Sequence, residues 1–133
     1  MDATLPARTL SISIAAPVEQ VYQFVADAEN LPQWAAGLCK AVRRAEVGWI
    51  VETPHGEATL RFTQPNELGV LDHYISPAPG TEIYVPMRVV SNGSGSEILF
   101  TLFRQPKMSD AQFAADADHV ERDLHTLKKI LER

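Results

Sequence analysis

Four polar side chains that can do acid–base or hydrogen-bonding chemistry lie in two neighbouring stretches of the chain. Asp72, His73 and Tyr74 are consecutive, and Arg88 follows in the next β-rich stretch. A carboxyl group and a phenol can orient a ligand carbonyl or hydroxyl, or act as acid and base. Because adjacent strand residues point to opposite faces, Asp72 and His73 cannot work together as a dyad. A site here therefore uses either Asp72 with Tyr74, or His73 with Arg88.

The register of the hairpin between these stretches decides which pair faces the interior. If Pro79-Gly80 is the centre of a tight turn, Asp72 lies opposite Met87. The face of Asp72 then carries mostly apolar residues: Tyr74, Ile83, Val85, Met87 and Val89, with Ile98, Phe100 and Leu102 from the next hairpin. We predict that this more uniformly apolar face is the interior. The competing interpretation makes His73 and Arg88 the site, since a slip of one residue exchanges the two faces.

Asp72 also has a purely structural interpretation. A buried carboxylate must be paired, or its pKa must rise. It can be satisfied by a backbone N–H or a tyrosine and have no further role. The opposite face is too apolar for plain exposure to solvent, because it includes Leu71, Ile75, Leu99 and Phe103. If it is the outer face, it is a candidate homodimer interface, with Arg88 pairing nearby Glu97.

Two kinds of periodicity predict the elements that begin the chain. Alternation of Leu10, Ile12 and Ile14 with polar residues predicts a strand. After Pro17 the apolar spacing becomes helical, at Val18, Val21, Tyr22 and Val25, and this helix is expected to end near Asp27. We expect Asn30 to cap a second, short helix that carries Leu31, Pro32 and Trp34.

The middle of the chain predicts six strands. The β-rich segments are Cys39–Ala45, Val47–Thr53, Glu57–Thr63, Gly69–Ser76, Glu82–Ser91 and Glu97–Arg104. Glycine, proline and asparagine turns separate them. Short loops between consecutive strands predict an antiparallel meander.

The last segment predicts a long helix from Ser109 to Glu132. Ser109 and Gln112 form a capping box at its start. An apolar stripe follows at steps of four and three: Phe113, Ala117, Val120, Leu124, Leu127 and Leu131. We expect the polar residues Asp116, Arg122 and Asp123 to lie on the solvent side.

Length and charge narrow the classes of function. The chain has 133 residues, which predicts one domain over 1–133. A net charge of −5 without a basic stripe argues against nucleic acid as a partner. No apolar run is long enough for stable membrane insertion, and no signal peptide precedes the first strand, so we expect a cytoplasmic protein. No histidine pair has metal-ligand spacing and no motif implies a cofactor, so we expect neither a bound metal ion nor a cofactor.

The opening of the chain resembles the START-like (SRPBCC) superfamily, which includes polyketide cyclase/dehydrase and lipid-transport domains. The residues that carry the resemblance are Ala16-Pro17, Val21-Tyr22, Phe24-Val25, Asp27, Glu29, Leu31-Pro32 and Trp34. The resemblance implies an α+β helix-grip fold, with a curved seven-stranded antiparallel sheet around the long C-terminal helix and two short helices after strand 1. It also implies a cavity for a small hydrophobic or aromatic, lipid- or polyketide-like molecule. Some members of the superfamily are enzymes, and they share no single catalytic motif.

We therefore expect a ligand cavity between sheet and helix. A small-molecule pocket of roughly 300 Å³ would cost about 7 kcal/mol if it stayed empty, so ligand or water should fill it. The predicted ligand-binding residues combine both candidate faces: Phe24, Trp34, Phe62, Asp72, His73, Tyr74, Met87, Arg88 and Phe100. The sequence supports two interpretations of Trp34 equally, a lid over the cavity and a hydrophobic plug of the short helix. The alternatives to a binding protein are a cyclase/dehydratase-like enzyme and a protein-interaction module with a collapsed cavity.

Overall fold

A computed structural model describes residues 3–133 and confirms the predicted order of strand, two short helices, strands and long helix. The elements are β1 (Ala7–Ile14), α1 (Val18–Ala26), a 3₁₀ turn (Ala28–Asn30), α2 (Leu31–Trp34), β2 (Ala41–Arg44), β3 (Trp49–Thr53), β4 (Gly56–Phe62), β5 (His73–Ala78), β6 (Thr81–Val85), β7 (Met87–Asn92), β8 (Gly95–Phe103) and α3 (Asp110–Leu131). None of the helices within this range is long and apolar enough to cross a membrane.

The strands form two antiparallel sheets, which corrects the prediction of one seven-stranded sheet. Three strands pair in the order β1-β8-β7, and five pair in the order β2-β3-β4-β5-β6. The predicted strand Glu82–Ser91 is split at Pro86 into β6 and β7. Proline has no N–H to give to a strand ladder, so pairing stops there and the chain passes from one sheet to the other.

The segment before β5 ties the two sheets together. Leu71 donates its N–H to Met87 O at 2.8 Å, and Val89 donates to Gly69 O at 3.0 Å. Gly69 has a φ of +72°, and a Cβ at this position would lie 2.2 Å from Val89 O. Only glycine allows the two backbones to approach so closely.

α1 ends close to its predicted bound, and α2 is a single turn that ends at Trp34. α1 ends at Ala26, with Asp27 following it as expected. Asn30 lies at the N-cap of α2, but its side chain makes no cap hydrogen bond. It instead donates to Phe24 O at 3.0 Å and accepts from Gln33 at 3.1 Å. Asn30 therefore ties α2 to α1 rather than satisfying the helix start.

α3 confirms Ser109 as the N-cap and most of the predicted apolar stripe. The Ser109 hydroxyl accepts from Gln112 N at 3.1 Å, and the buried face consists of Ala117, Leu124, Leu127 and Leu131. The helix lies closest to β1 and α2. Lys128 donates to Ser13 O at 2.6 Å, which fixes the end of the helix to the end of β1.

The inner faces of the two sheets meet along continuous rows of side chains. In the three-stranded sheet, Leu10, Phe100 and Met87 lie opposite one another. In the five-stranded sheet the corresponding row is Phe62, His73 and Val85. The next row is Trp49, Leu60, Ile75 and Ile83. These rows position the residues considered below.

Candidate ligand-binding site

A β-bulge in the β5–β6 hairpin sets which residues face inward. The Pro79-Gly80 turn lies where the sequence predicts it, with Ala78 opposite Thr81. Farther along the hairpin Ile75 pairs with Ile83, so two residues of β5 oppose one residue of β6. The bulge shifts the register by one, and a shift of one exchanges the faces of a strand.

The predicted interior pair of Asp72 and Tyr74 is therefore wrong, and so is the competing pair of His73 and Arg88. His73 lies opposite Val85 on the inner face, whereas Tyr74 pairs with Tyr84 on the outer face. The Arg88 side chain is half exposed on that outer face. The prediction holds for most of the apolar residues beyond the bulge, which are buried: Val85, Met87, Val89, Ile98 and Phe100.

Asp72 is a buried carboxylate with every oxygen satisfied by the protein. Oδ1 accepts from Met87 N at 2.8 Å and from Arg88 Nε at 3.1 Å. Oδ2 accepts from the Tyr84 hydroxyl at 2.8 Å and from Arg88 Nη2 at 2.9 Å. The hydrogen bonds from Arg88 lower the pKa of Asp72 to about 2. This arrangement matches the structural interpretation of Asp72, a clamp at the junction of the two sheets.

An aromatic stripe covers the outer face beside this clamp. Tyr74 stacks on Tyr84 with ring centroids 5.1 Å apart, and Tyr84 stacks on Phe103 at 6.3 Å. The Arg61 guanidinium lies 4.5 Å from the Tyr74 ring. The expected Arg88–Glu97 pair is absent from the described residues, because Arg88 binds Asp72 on this face. A homodimer through this face stays a prediction.

Glu97 has other partners on the outer face. Its Oε1 accepts from the Ser13 hydroxyl at 2.5 Å and from Asn92 Nδ2 at 3.0 Å. These bonds lower the pKa of Glu97, with the Ser13 hydroxyl as the largest cause.

His73 is a buried polar residue on the inner face of the five-stranded sheet. Its ring centroid lies 5.1 Å from that of Phe62 and 6.0 Å from that of Phe100. Nδ1 lies 3.0 Å from Leu71 O. Burial lowers the pKa of the imidazole below its usual range. Nε2 has no hydrogen-bond partner among residues 3–133.

Two carboxylates of α3 belong to the half-buried part of the helix, which corrects the prediction that they face solvent. Desolvation raises the pKa of Asp116, and it raises that of Asp123 to about 6. Neither carboxylate accepts a hydrogen bond from a residue in the described range. Arg122 is exposed, as predicted.

The sequence contained a signal that these two carboxylates lie beside the buried face of the helix. Asp116 and Asp123 lie four residues before and three residues after Val120, so both share its side of the helix. Val120 itself is only half-buried, at the edge of the apolar stripe. The helical spacing thus placed both acids beside the buried face.

The helices place the other two predicted residues at different depths. Trp34 is 5 % exposed, so it fills the core as a plug in this conformation. Its Nε1 is buried without a hydrogen-bond partner in the described chain. Phe24 is half-buried on α1 and packs against the same core.

The predicted residues do not line the hollows seen at the surface. One hollow of about 390 Å³ lies between the start of α1, the β7–β8 turn and the end of α3. A second, of about 50 Å³, lies between β1 and α3 and is lined by Leu10, Ser11, Ile12, Glu121, Leu124 and His125. The inner face of the five-stranded sheet is incompletely covered, because Trp49, Phe62, Ile75 and Ile83 keep part of their surface exposed.

Comparison with known proteins identifies one family. The model of the family described as "Polyketide cyclase / dehydrase and lipid transport" matches residues 14–94, more than half of the chain. No curated protein matches the sequence.

Solved structures share the fold at low identity. XoxI from Bacillus cereus is 20% identical, with a TM-score of 0.78 over 96% of both chains. A START superfamily protein from Mycobacterium smegmatis is 15% identical, with a TM-score of 0.75 over 95% of this chain and 97% of that one. DynU16, from the dynemicin biosynthetic locus, is 18% identical with a TM-score of 0.72, and the match covers 95% of this chain and 47% of that protein. These likenesses confirm the coarser part of the predicted fold class, an α+β fold of antiparallel strands with a long C-terminal helix.

Proposed function

We propose that this chain, which belongs to the polyketide cyclase / dehydrase and lipid transport family, binds a small, mainly apolar molecule at the inner face of its five-stranded sheet. The observation that carries the proposal is Nε2 of His73, which has no hydrogen-bond partner among residues 3–133 although the ring lies between Phe62 and Phe100. Unlike Trp34 Nε1, this nitrogen is not sealed from solvent. It is therefore open to a bound molecule, which would supply the partner that the described residues do not.

The residues around His73 favour an apolar ligand. Phe62 and Phe100 lie next to the imidazole, and Met87, which pairs with Phe100 in the same row, is fully buried. Burying apolar ligand surface against such side chains contributes roughly 25 cal/mol per Å². The half-exposed Ile75 and Ile83 lie in the adjacent row, where the sheet is least covered.

The proposed site is smaller than the set predicted from sequence. It keeps Phe62, His73, Met87 and Phe100, with Phe24 and Trp34 as neighbours on the short helices. It omits Asp72, Tyr74 and Arg88, because these residues form the outer clamp and aromatic stripe. A ligand at the inner face would not touch them.

Family membership and the likeness to a START superfamily protein support a ligand-binding role. The family description names both enzymes and lipid transport, so it fits a carrier as well as a catalyst. The likeness to DynU16 supports a ligand related to natural-product biosynthesis, since that protein comes from the dynemicin biosynthetic locus.

A fluorescent-probe titration tests the binding role. Phenyl-naphthylamine is neutral and apolar, and its emission rises in an apolar site, so we expect saturable enhancement with the wild-type protein. Phe100→Ala should weaken that binding because it removes an inner-face ring. Phe103→Ala is the matched control, since it removes a ring of the same β-strand from the outer stripe.

Two outcomes would contradict the proposal. One is a folded wild-type protein with no saturable enhancement, which would favour the protein-interaction module that the sequence also allows. The other is equal weakening by the two phenylalanine variants, which would place the probe outside the inner face. Circular dichroism of each variant establishes that it is folded.

A second candidate function is acid–base catalysis of the cyclase or dehydratase type by a carboxyl group of α3. The observation that favours it is the half-buried Asp123, with a pKa raised to about 6. Acid–base catalysis works best with groups whose pKa lies near the working pH. Dehydration would lower the mass of a recovered ligand by that of one water molecule, and mass spectrometry detects this change. If wild type and Asp123→Asn both return every bound molecule unchanged, the catalytic function is contradicted and only the binding function is retained.

A further inference from the structure

We infer that the bound molecule is neutral and donates a hydrogen bond, from a hydroxyl or an N–H group, to Nε2 of His73. The inference rests on the ligand-binding function proposed above. It adds the chemical class of the ligand, which neither family membership nor fold provides.

The tautomer of His73 follows from its one partner among residues 3–133, Leu71 O. Leu71 O is a carbonyl oxygen and can only accept, so Nδ1 must carry the proton of the 3.0 Å hydrogen bond. Burial lowers the pKa of the ring, which keeps it neutral near neutral pH. A neutral imidazole carries one N–H, so Nε2 presents a lone pair and acts only as an acceptor.

The direction of this acceptor is fixed by the fold. Leu71 is 1 % exposed, and its N–H is held by Met87 O across the junction of the sheets. The His73 ring lies between Phe62 and Phe100, so it has little room to rotate. A ring-bearing ligand could approach the same apolar wall and place its donor at Nε2.

Charges around the site disfavour an anionic ligand. Buried polar or charged residues in the described range are Asp72, His73 and Ser96, so none is a lysine or arginine. Arg61 and Arg88 pair with Glu82 and Asp72 on the outer face. Arg44 shares the inner face with Trp49, but it is exposed on β2, three strands away from β5. A carboxylate bound beside His73, between Phe62 and Phe100, would lose its hydration without a cation among these neighbours.

Three matched ligands test the inference by displacement of phenyl-naphthylamine. Naphthol donates a hydrogen bond, methoxynaphthalene has nearly the same apolar surface without a donor, and naphthoate is an anion. We expect naphthol to bind about fivefold to tenfold more tightly than methoxynaphthalene, the effect of one hydrogen bond. Naphthoate should bind most weakly.

The variant His73→Phe removes the acceptor and keeps a ring of similar size. In this variant the preference for naphthol over methoxynaphthalene should disappear, while binding of methoxynaphthalene persists. Equal affinities in the wild type, a preference for naphthoate, or an undiminished naphthol preference in His73→Phe would each overturn the inference. If the variant does not fold, the wild-type comparison of naphthol with methoxynaphthalene still decides.

Failure of the inference and failure of the proposed function give different results. If the wild type binds phenyl-naphthylamine but does not discriminate among the three ligands, the site exists and the donor preference is wrong. If the folded wild type binds neither the probe nor any of the three ligands, the binding function itself fails.

Discussion

Asp72 and His73 are consecutive residues with the same exposed fraction of 7 %, yet their surroundings differ completely. Asp72 receives four hydrogen bonds, from Met87 N, the Tyr84 hydroxyl and two nitrogens of Arg88. The His73 side chain has one within the described part of the chain, to Leu71 O. The first residue is satisfied by the protein at the outer junction, and the second leaves a nitrogen free on the inner face.

This difference separates a structural role from a binding role. Asp72 looks like the stronger candidate for chemistry in the sequence, because it is a carboxylate inside a β-rich region. Its pKa of about 2 keeps it ionised and paired, so it has no proton to give near neutral pH. His73 has the property that a ligand site needs, an accessible polar atom on an apolar face without a partner among the described residues.

The largest expected effect is the loss of the clamp in Asp72→Ala. This change leaves the N–H of Met87 buried without its acceptor and removes the partner of Arg88. We expect the free energy of unfolding to fall by about 3 kcal/mol. Urea denaturation measures it. Glu57→Ala is the control, because its ion pair with Arg43 is exposed and should matter little. Equal effects of the two changes would contradict the assigned clamp.

Asp72 and His73 should lose their contributions to stability in different ranges of pH. The folded-state pKa of His73 lies below its usual 6.5, because burial disfavours the charged ring, so its contribution to stability is lost as the pH falls below 6.5. The pKa of Asp72 is about 2 against a usual 3.8, so its contribution is lost as the pH falls from about 4 to about 2.

Urea denaturation at a series of pH values checks both signs. The difference in unfolding free energy between wild type and His73→Phe should change below pH 6.5. The difference between wild type and Asp72→Asn should change only nearer pH 4 and below. A pH-independent difference for His73→Phe would mean that the ring is not buried in its neutral form.

Asp123→Asn should stabilise the protein at neutral pH. The folded-state pKa of Asp123 is about 6 against a usual 3.8, because burial disfavours the carboxylate. The folded state therefore binds the proton more readily, and stability falls as the pH rises from about 4 through about 6. After allowance for solvent screening, we expect a gain of about 1 kcal/mol. Asp118→Asn, on the exposed side of α3, is the control. A destabilised Asp123→Asn would contradict the assigned burial.

The smallest expected effect is that of Tyr84→Phe. The change removes one donor to Asp72 but keeps the stack with Tyr74 and Phe103. Tyr84 is 37 % exposed, so water can replace its hydroxyl. We expect the free energy of unfolding to fall by about 0.5 kcal/mol in urea denaturation. A loss as large as that of Asp72→Ala would mean that the tyrosine, not the backbone and Arg88, holds the clamp together.

Local signals in the sequence were sufficient for the order of elements and for α3. The bond from Gln112 N to the Ser109 hydroxyl and the apolar stripe depend on spacing within one helix, which the sequence shows directly. The buried set from Val85 to Phe100 also followed from alternation. The opening motif around Trp34 indicated the family.

The faces of β5 could not be predicted in the same way, because a bulge is set by pairing across strands. Pro77 was the available signal, since a proline inside a strand marks an edge or a bulge. The predicted strand ended at Ser76, before that proline, so the extra residue was missed. Pro86 acted similarly when it divided one predicted strand into β6 and β7.

The most direct test of the central claim is nitrogen NMR of the His73 ring near neutral pH, with and without naphthol. We predict a neutral ring with the proton on Nδ1, and a change in the Nε2 resonance when naphthol, but not methoxynaphthalene, is added. A charged ring, a proton on Nε2, or an Nε2 resonance that naphthol leaves unchanged would contradict the claim that His73 offers its free nitrogen to a ligand.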